Sequence, residues 1–131
     1  MPKTLPATEP SPAEQSAAAF RAFLRIAELW QLNVDQQLIV LGQPARSTYY
    51  KWKREGAEQL SADTLERLSY VLGIYKALQI LFPDPARADA WLRRPNDGPL
   101  FGGRPAMDRV LRGQVADLYM VRLYVDAQLG G

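Results

Sequence analysis

The chain has 131 residues and a formal net charge of +2, with 47% hydrophobic and 23% charged side chains, the proportions of an ordinary folded domain. It has no cysteine and no histidine, which excludes disulfides, thiol nucleophiles, Ser-His triads and histidine- or thiolate-bound zinc. No run approaches the ~18 apolar residues needed to cross a bilayer, so a cytoplasmic protein without a membrane partner is expected.

Residues 1–11 carry Pro2, Pro6 and Pro10 and lack the apolar core of a signal peptide, and they are read as a disordered tail. A helix is expected from Pro12 to about Trp30, with Phe20, Phe23, Leu24, Ala27 and Trp30 as its apolar stripe. Ser11 can cap it, and Pro12 suits the first helical position, where its missing N–H costs nothing. A new start lies at Asn33 to Gln37, and Leu38 to Leu41 follow up to Gly42, a residue suited to the left-handed conformation beyond a helix.

A short helix then runs to Arg54 and stops at Gly56. It carries Arg46, Lys51, Lys53 and Arg54 without an acid among them. Two short helices joined by a glycine-containing turn, the second basic and aromatic, have the pattern of a helix-turn-helix, and residues 12–60 are assigned to it. In that motif the second helix lies in the major groove, its leading residues at base edges and flanking cations on phosphates. Arg46, Ser47, Thr48 and Tyr49 are therefore candidate DNA contacts at the leading end, with Lys51, Lys53 and Arg54 further along. Trp52 is expected in the core, against Leu38 and Leu41.

Residues 61–131 form a second unit. Its longest helix starts near Ser61 or Asp63, runs Leu65, Leu68, Leu72, Tyr75, Leu78 and Phe82 down one face, and ends at Pro83 and Pro85. A short helix from about Ala86 to Arg93 leads into a Gly/Pro-rich loop, and Pro105 restarts the chain toward Leu111. The last helix spans Gln114 to about Gln128. Val115, Leu118, Val121 and Val125 make one stripe, and Tyr119, Met120, Leu123 and Tyr124 cover much of the remaining surface. Such a helix either threads the centre of its own domain or needs a partner on one side. Tyrosine, methionine and arginine are typical of interface cores. Arg122 and Asp126 are spaced either as a solvated pair or as partner contacts. No strand-like alternation is present, so the fold class is all-α.

No site for catalysis is expected. Asp84 and Asp89, or Asp108 and Asp117, are not brought together by any spacing and are better explained by helix dipoles. Phe101-Gly-Gly-Arg-Pro105 lacks the spacing and Lys-Ser/Thr of a phosphate loop. Neither a metal nor a cofactor is called for.

Three features stand in order along the chain: Leu41-Gly42 with Ser47-Thr-Tyr-Tyr-Lys-Trp52, Asp63-Thr-Leu-Glu-Arg-Leu68 with Leu72-Gly-Ile74, and Ala90-Trp-Leu-Arg-Arg-Pro-Asn96 with Leu100-Phe-Gly-Gly-Arg-Pro105. The set resembles the Xre/MbcA/ParS antitoxins, whose partners are RES-domain toxins, over about Val34 to Leu129. The resemblance implies an antitoxin that binds the DNA of its own operon through the N-terminal half. It also implies that the C-terminal half covers the cleft of an NAD-consuming toxin, as a homodimer within a hetero-oligomeric complex. By the same resemblance Trp91, Leu92, Pro95 and Asn96 shape the toxin-binding domain, and Arg122, Tyr124, Asp126, Leu129, Gly130 and Gly131 face the toxin. The chain departs from the pattern at Gln43-Pro44-Ala45, where many relatives place a capping Ser or Thr. A late start of the recognition helix, at a cost of ~1 kcal/mol, is expected there. The competing reading is a transcriptional regulator whose C-terminal helices only dimerise.

Overall fold

The computed structural model describes residues 9–130. Most of the expected tail, and Gly131, lie outside the described residues. The described chain forms seven α-helices: α1 (Pro12–Leu29), α2 (Val34–Leu41), α3 (Arg46–Glu55), α4 (Ala62–Leu81), α5 (Pro85–Ala90), α6 (Ala106–Val110) and α7 (Val115–Gly130), with a 3-10 turn at Trp91–Arg93. It contains no strand, only an isolated antiparallel bridge between Pro95 and Pro105.

The helix starts follow local chemistry. Ser11 accepts from the Glu14 N–H while the Glu14 carboxylate accepts from the Ser11 N–H, and this capping box satisfies two otherwise unpaired donors. The same bond to backbone N–H holds the Glu14 carboxyl below its ordinary pKa. Asn33 and Gln36 repeat the box at α2, and Ser61, not Asp63, caps α4. Helix α3 has no side-chain cap, yet it begins at Arg46 without delay. Its starting angle is fixed instead by the preceding turn, where Gly42 and Gln43 both take positive φ and their N–H groups return to the Ile39 and Leu38 carbonyls.

Helix α4 is the spine, packed against α1 and α2 on one side and against α5 and α7 on the other. Its buried face is Leu68, Val71, Ile74, Ala77 and Leu78. That face is rotated from the expected one, leaving Leu65 exposed and Leu72 and Tyr75 half-buried. The face turned because α4 serves two neighbours at once, so no single stripe defines its inside. Phe20, Phe23, Trp30, Leu41, Tyr49, Leu92, Phe101, Leu118, Val121 and Val125 join these residues in one hydrophobic cluster.

Four arginines brace this core. Arg67, 8% exposed, donates to Asp63 Oδ2 (2.9 Å), the Gly113 carbonyl (2.9 Å) and, more weakly, the Val40 carbonyl (3.4 Å). Gly42 admits this guanidinium: a Cβ there would meet Arg67 Nε at 2.9 Å. Arg93 donates to the Trp30 and Gln31 carbonyls and so caps the end of α1, where Gln31 itself has φ 59°. Arg109 pairs with the buried Asp117 at 2.9 Å, and Arg122 lies over Gly73 and donates to the Ser69 carbonyl.

Candidate functional site

Helix α3 separates into two faces. Tyr49 is fully buried, Thr48 and Trp52 are half-buried, and Arg46, Ser47, Tyr50, Lys51, Lys53 and Arg54 are exposed together on the other side. A helix returns to the same face after three to four residues, so this division is what residues 46, 47, 50, 51 and 54 require. Of the seven expected DNA contacts, Tyr49 is corrected. Its ring packs edge-on against Phe20 (6.1 Å between centroids) and its hydroxyl donates to Gln37 Oε1; burial also raises its pKa. A side chain with no exposed surface cannot reach a base edge. Trp52, expected in the core, is packed against the hydrophobic cluster and meets Phe20 of α1 at 5.5 Å.

The exposed side carries four cations in different settings. Lys53 stands over the Tyr49 and Tyr50 rings at 5.6 and 6.0 Å, and Arg54 lies 3.4 Å from Glu55. Arg46, the first residue of the helix, donates through Nη2 to Oδ1 of Asp35 at the start of α2. That hydrogen bond is the main reason its pKa is raised, with a smaller contribution from Tyr50. Two residues of this surface escaped the sequence reading. Tyr50 could have been placed by counting around α3, but Asp35 lies eleven positions before Arg46, and only the turn between the helices brings them together.

The second surface is on α7. Leu118, Val121 and Val125 are buried against α4, and opposite them Tyr119 (44% exposed), Met120 (38%) and Leu123 (44%) face solvent. With Ala116 and Ala127, both exposed, they form an apolar stripe at helical spacing. The residues expected to face a toxin divide. Leu129 and Gly130 are exposed at the helix end. Arg122 is engaged with Ser69, Gly73 and, at 3.3 Å, Asp126. Tyr124 is half-buried, stacked on Trp91 (6.2 Å, 28°) and edge-on to Phe101 (5.0 Å).

The residues of the Gly/Pro loop hold that end of α7 in place. Leu92 is fully buried and Trp91 meets Phe101 edge-on at 6.1 Å. The Asn96 N–H donates to the Arg104 carbonyl, the Gly103 N–H to the Asn96 carbonyl, and the Asn96 side chain accepts from the Gly98 N–H. The Pro95–Pro105 bridge thereby closes the loop, and α6 restarts at a fixed angle. Beside the loop a cavity of about 210 Å³ opens between Leu81, Phe82, Trp91, Tyr124, Val125 and Gln128.

The described residues contain no cluster of three or more potential metal ligands and no helix long and apolar enough to cross a membrane. The four acids Asp84, Asp89, Asp108 and Asp117 have separate roles: Asp84 caps α5, Asp89 accepts from Gln79, Asp108 pairs with Arg104, and Asp117 with Arg109.

Residues 9–73 match the antitoxin Xre-like helix-turn-helix domain, and residues 77–131 match the antitoxin Xre/MbcA/ParS C-terminal toxin-binding domain. The chain is also similar to the uncharacterized protein y4oB of Sinorhizobium fredii (strain NBRC 101917 / NGR234), 52% identical over 131 residues that cover 98% of this chain and 99% of y4oB. The helix-turn-helix lies within the first match and the loop and terminal helix within the second, and the chain belongs to the Xre/MbcA/ParS antitoxin family of toxin–antitoxin systems.

Proposed function

We propose that this antitoxin neutralises an NAD-consuming RES-domain toxin by laying the open face of α7 and the C-terminal end of the chain over the toxin's cleft. The observation that carries the reading is the stripe of Tyr119, Met120 and Leu123, apolar residues left in solvent beside a well-filled core. An aromatic and methionine-rich patch of this kind is characteristic of interface cores. Leu129 and Gly130 extend it toward the cleft, Asp126 and Arg122 supply a polar rim, and Tyr124 is held from behind by Trp91. Leu92, Pro95 and Asn96 set the angle of the helix. Inhibition of this type needs shape and hydrogen bonds but no nucleophile, so a chain without histidine or cysteine suffices.

The exposed face of α3 binds the operator of the antitoxin's own operon. Arg46 and Ser47 lead into the groove, with the half-buried Thr48 at the margin of that face, and Lys51, Lys53 and Arg54 lie along the phosphates. The antitoxin works in the cytoplasm as a homodimer within a larger complex with its toxin.

Co-expression with the product of the adjacent toxin gene tests the first part. The wild-type chain restores growth and cellular NAD. The double variant Met120→Asp, Leu123→Asp folds but does not. Protection by that variant equal to wild type refutes the α7 surface, and a toxin that leaves NAD intact refutes the RES assignment. Arg46→Ala with Lys51→Ala separates the two activities, abolishing DNA binding while protection persists. A regulator whose C-terminal helices only dimerise would give no protection in any form.

A further inference from the structure

From the contact between α2 and the start of α3, we infer that Asp35 is a positioning residue for sequence reading: it fixes Arg46 so that its guanidinium reads a guanine edge instead of pairing with a phosphate. This rests on the DNA-binding reading above.

Arg46 is the first residue of α3 and Asp35 the second of α2. Both are solvent-exposed, with side-chain exposures of 52% and 75%. An exposed ion pair of this kind adds little to stability. On a surface meant for phosphates a carboxylate also costs affinity, because it repels the backbone that α2 must cross. It does, however, remove freedom from a long side chain. The Asp35 carboxylate holds one hydrogen of Nη2, and the Tyr50 hydroxyl, on α3 itself, makes only a smaller contribution at the guanidinium. The remaining hydrogens keep the planar fork available for the O6 and N7 acceptors of guanine, the bidentate pattern an arginine makes in the major groove. The leading end of a recognition helix is where such a fork reaches base edges.

The other cations of α3 are held differently. Lys53 rests on tyrosine rings and Arg54 beside its neighbour Glu55, and neither is bound by a side chain from another helix. Among the described residues, only Arg46 of these cations is tied across the turn to α2, so the tertiary structure adds to its own rotamers in setting its direction.

The test measures binding of the full chain to two duplexes by fluorescence anisotropy over a range of salt. One carries the region upstream of the antitoxin's own operon; the other is a scrambled duplex of equal length and composition. Wild type prefers its own duplex. Asp35→Asn keeps the Asn33 cap and the fold, checked by its unfolding midpoint. It tightens binding to the scrambled duplex, narrows the preference by about tenfold, the value of one bidentate base contact, and steepens the salt slope by about one charge as Arg46 moves to a phosphate. Arg46→Lys, which retains the charge and loses the fork, narrows the preference by the same factor. In an Arg46→Ala background, Asp35→Asn changes the preference no further.

An unchanged preference in Asp35→Asn, or equal tightening on both duplexes, overturns the inference, because Asp35 would then act only as a local charge. An unchanged preference in Arg46→Lys overturns it as well. If the wild-type chain shows no preference at all, operator binding itself fails and the inference falls with it, a result distinct from a preference that survives the Asp35 substitution.

Discussion

Replacing Arg67 by Met tests whether the guanidinium between α2, α4 and the Gly113 turn holds the protein together. Methionine keeps the apolar stem and removes the charge. Three bonds are lost. The bond to the Gly113 carbonyl is short, at 2.9 Å, and a bond of this charge-assisted type contributes ~1.5–3 kcal/mol. The contact with the Val40 carbonyl is at the edge of hydrogen-bond range at 3.4 Å and adds less, although its loss leaves a buried acceptor. Asp63 is 53% exposed, so its pairing is screened and contributes less than ~1 kcal/mol. Against the bonds stands the relief of desolvation when a buried cation is removed, which is of the same size and offsets them. What remains is the buried Val40 carbonyl left without a donor, at ~1–3 kcal/mol, so the net destabilisation is ~2 kcal/mol, equivalent to a fall in Tm of roughly 6–10 °C for a chain of this size. Urea denaturation followed by far-UV circular dichroism and tryptophan fluorescence measures it, with Asp63→Asn as a control that loses under ~1 kcal/mol. An Arg67→Met protein as stable as wild type would show that desolvation cancels the carbonyl's cost as well as the bonds and that the clasp contributes nothing net to stability.

Three other outcomes follow from the same geometry. Tyr49→Phe removes the hydroxyl bonded to Gln37 but keeps the buried ring, so it costs ~0.5–1.5 kcal/mol near neutral pH, read from the urea midpoint. Because burial raises the folded pKa of Tyr49, wild type holds its full stability below the ordinary tyrosine pKa of ~10 and loses it as pH rises toward the folded value; Tyr49→Phe flattens that alkaline loss, and identical pH profiles would contradict the burial. Gly98→Ala places a Cβ 2.8 Å from the Tyr124 hydroxyl and 3.0 Å from Asn96 Oδ1; the aromatic group must shift, at ~1–3 kcal/mol, and a Tm equal to wild type would refute the close packing of loop on α7. Operator affinity falls linearly on a log–log plot against salt, since the α3 cations displace counterions; a flat response would remove α3 from the DNA interface.

Periodicity and capping made the helices legible in the sequence. Ser11, Asn33, Gly42 and Gly56 mark ends that the structure places within a residue or so. The orientation of a helix was legible only where one face is apolar and the other polar. On α3, Tyr49 and Trp52 are both aromatic and adjacent on the helix surface, and the sequence does not say which is the deeper. On α4 and α7 two apolar faces compete, and the choice between them is made by the neighbouring helices. The contacts that join the halves leave no local pattern at all. The acceptors of Arg67 are 27 and 46 residues away, and the carbonyls that Arg93 caps are 63 and 62 away. Much of the arginine charge is thus held by internal carbonyls and acids, which nothing in the sequence around each arginine announces. Asp35 shows the same limit at the candidate DNA surface, since a lone acid in a polar helix start gives no sign of the arginine it will hold.

The two domain matches meet inside α4, one ending at residue 73 and the other beginning at 77, while α4 itself runs unbroken from Ala62 to Leu81 and is packed on both sides. A genetic crossover at that junction would join two half-helices selected against different neighbours, and an earlier one, in the linker before Ser61, would separate α4 from the α1 surface it fits. Neither cut yields interchangeable parts. The candidate surfaces on the outer faces of α3 and α7 thus share one continuous helix as their support, so altering either one without disturbing the other calls for substitutions on those outer faces and not for an exchange of halves.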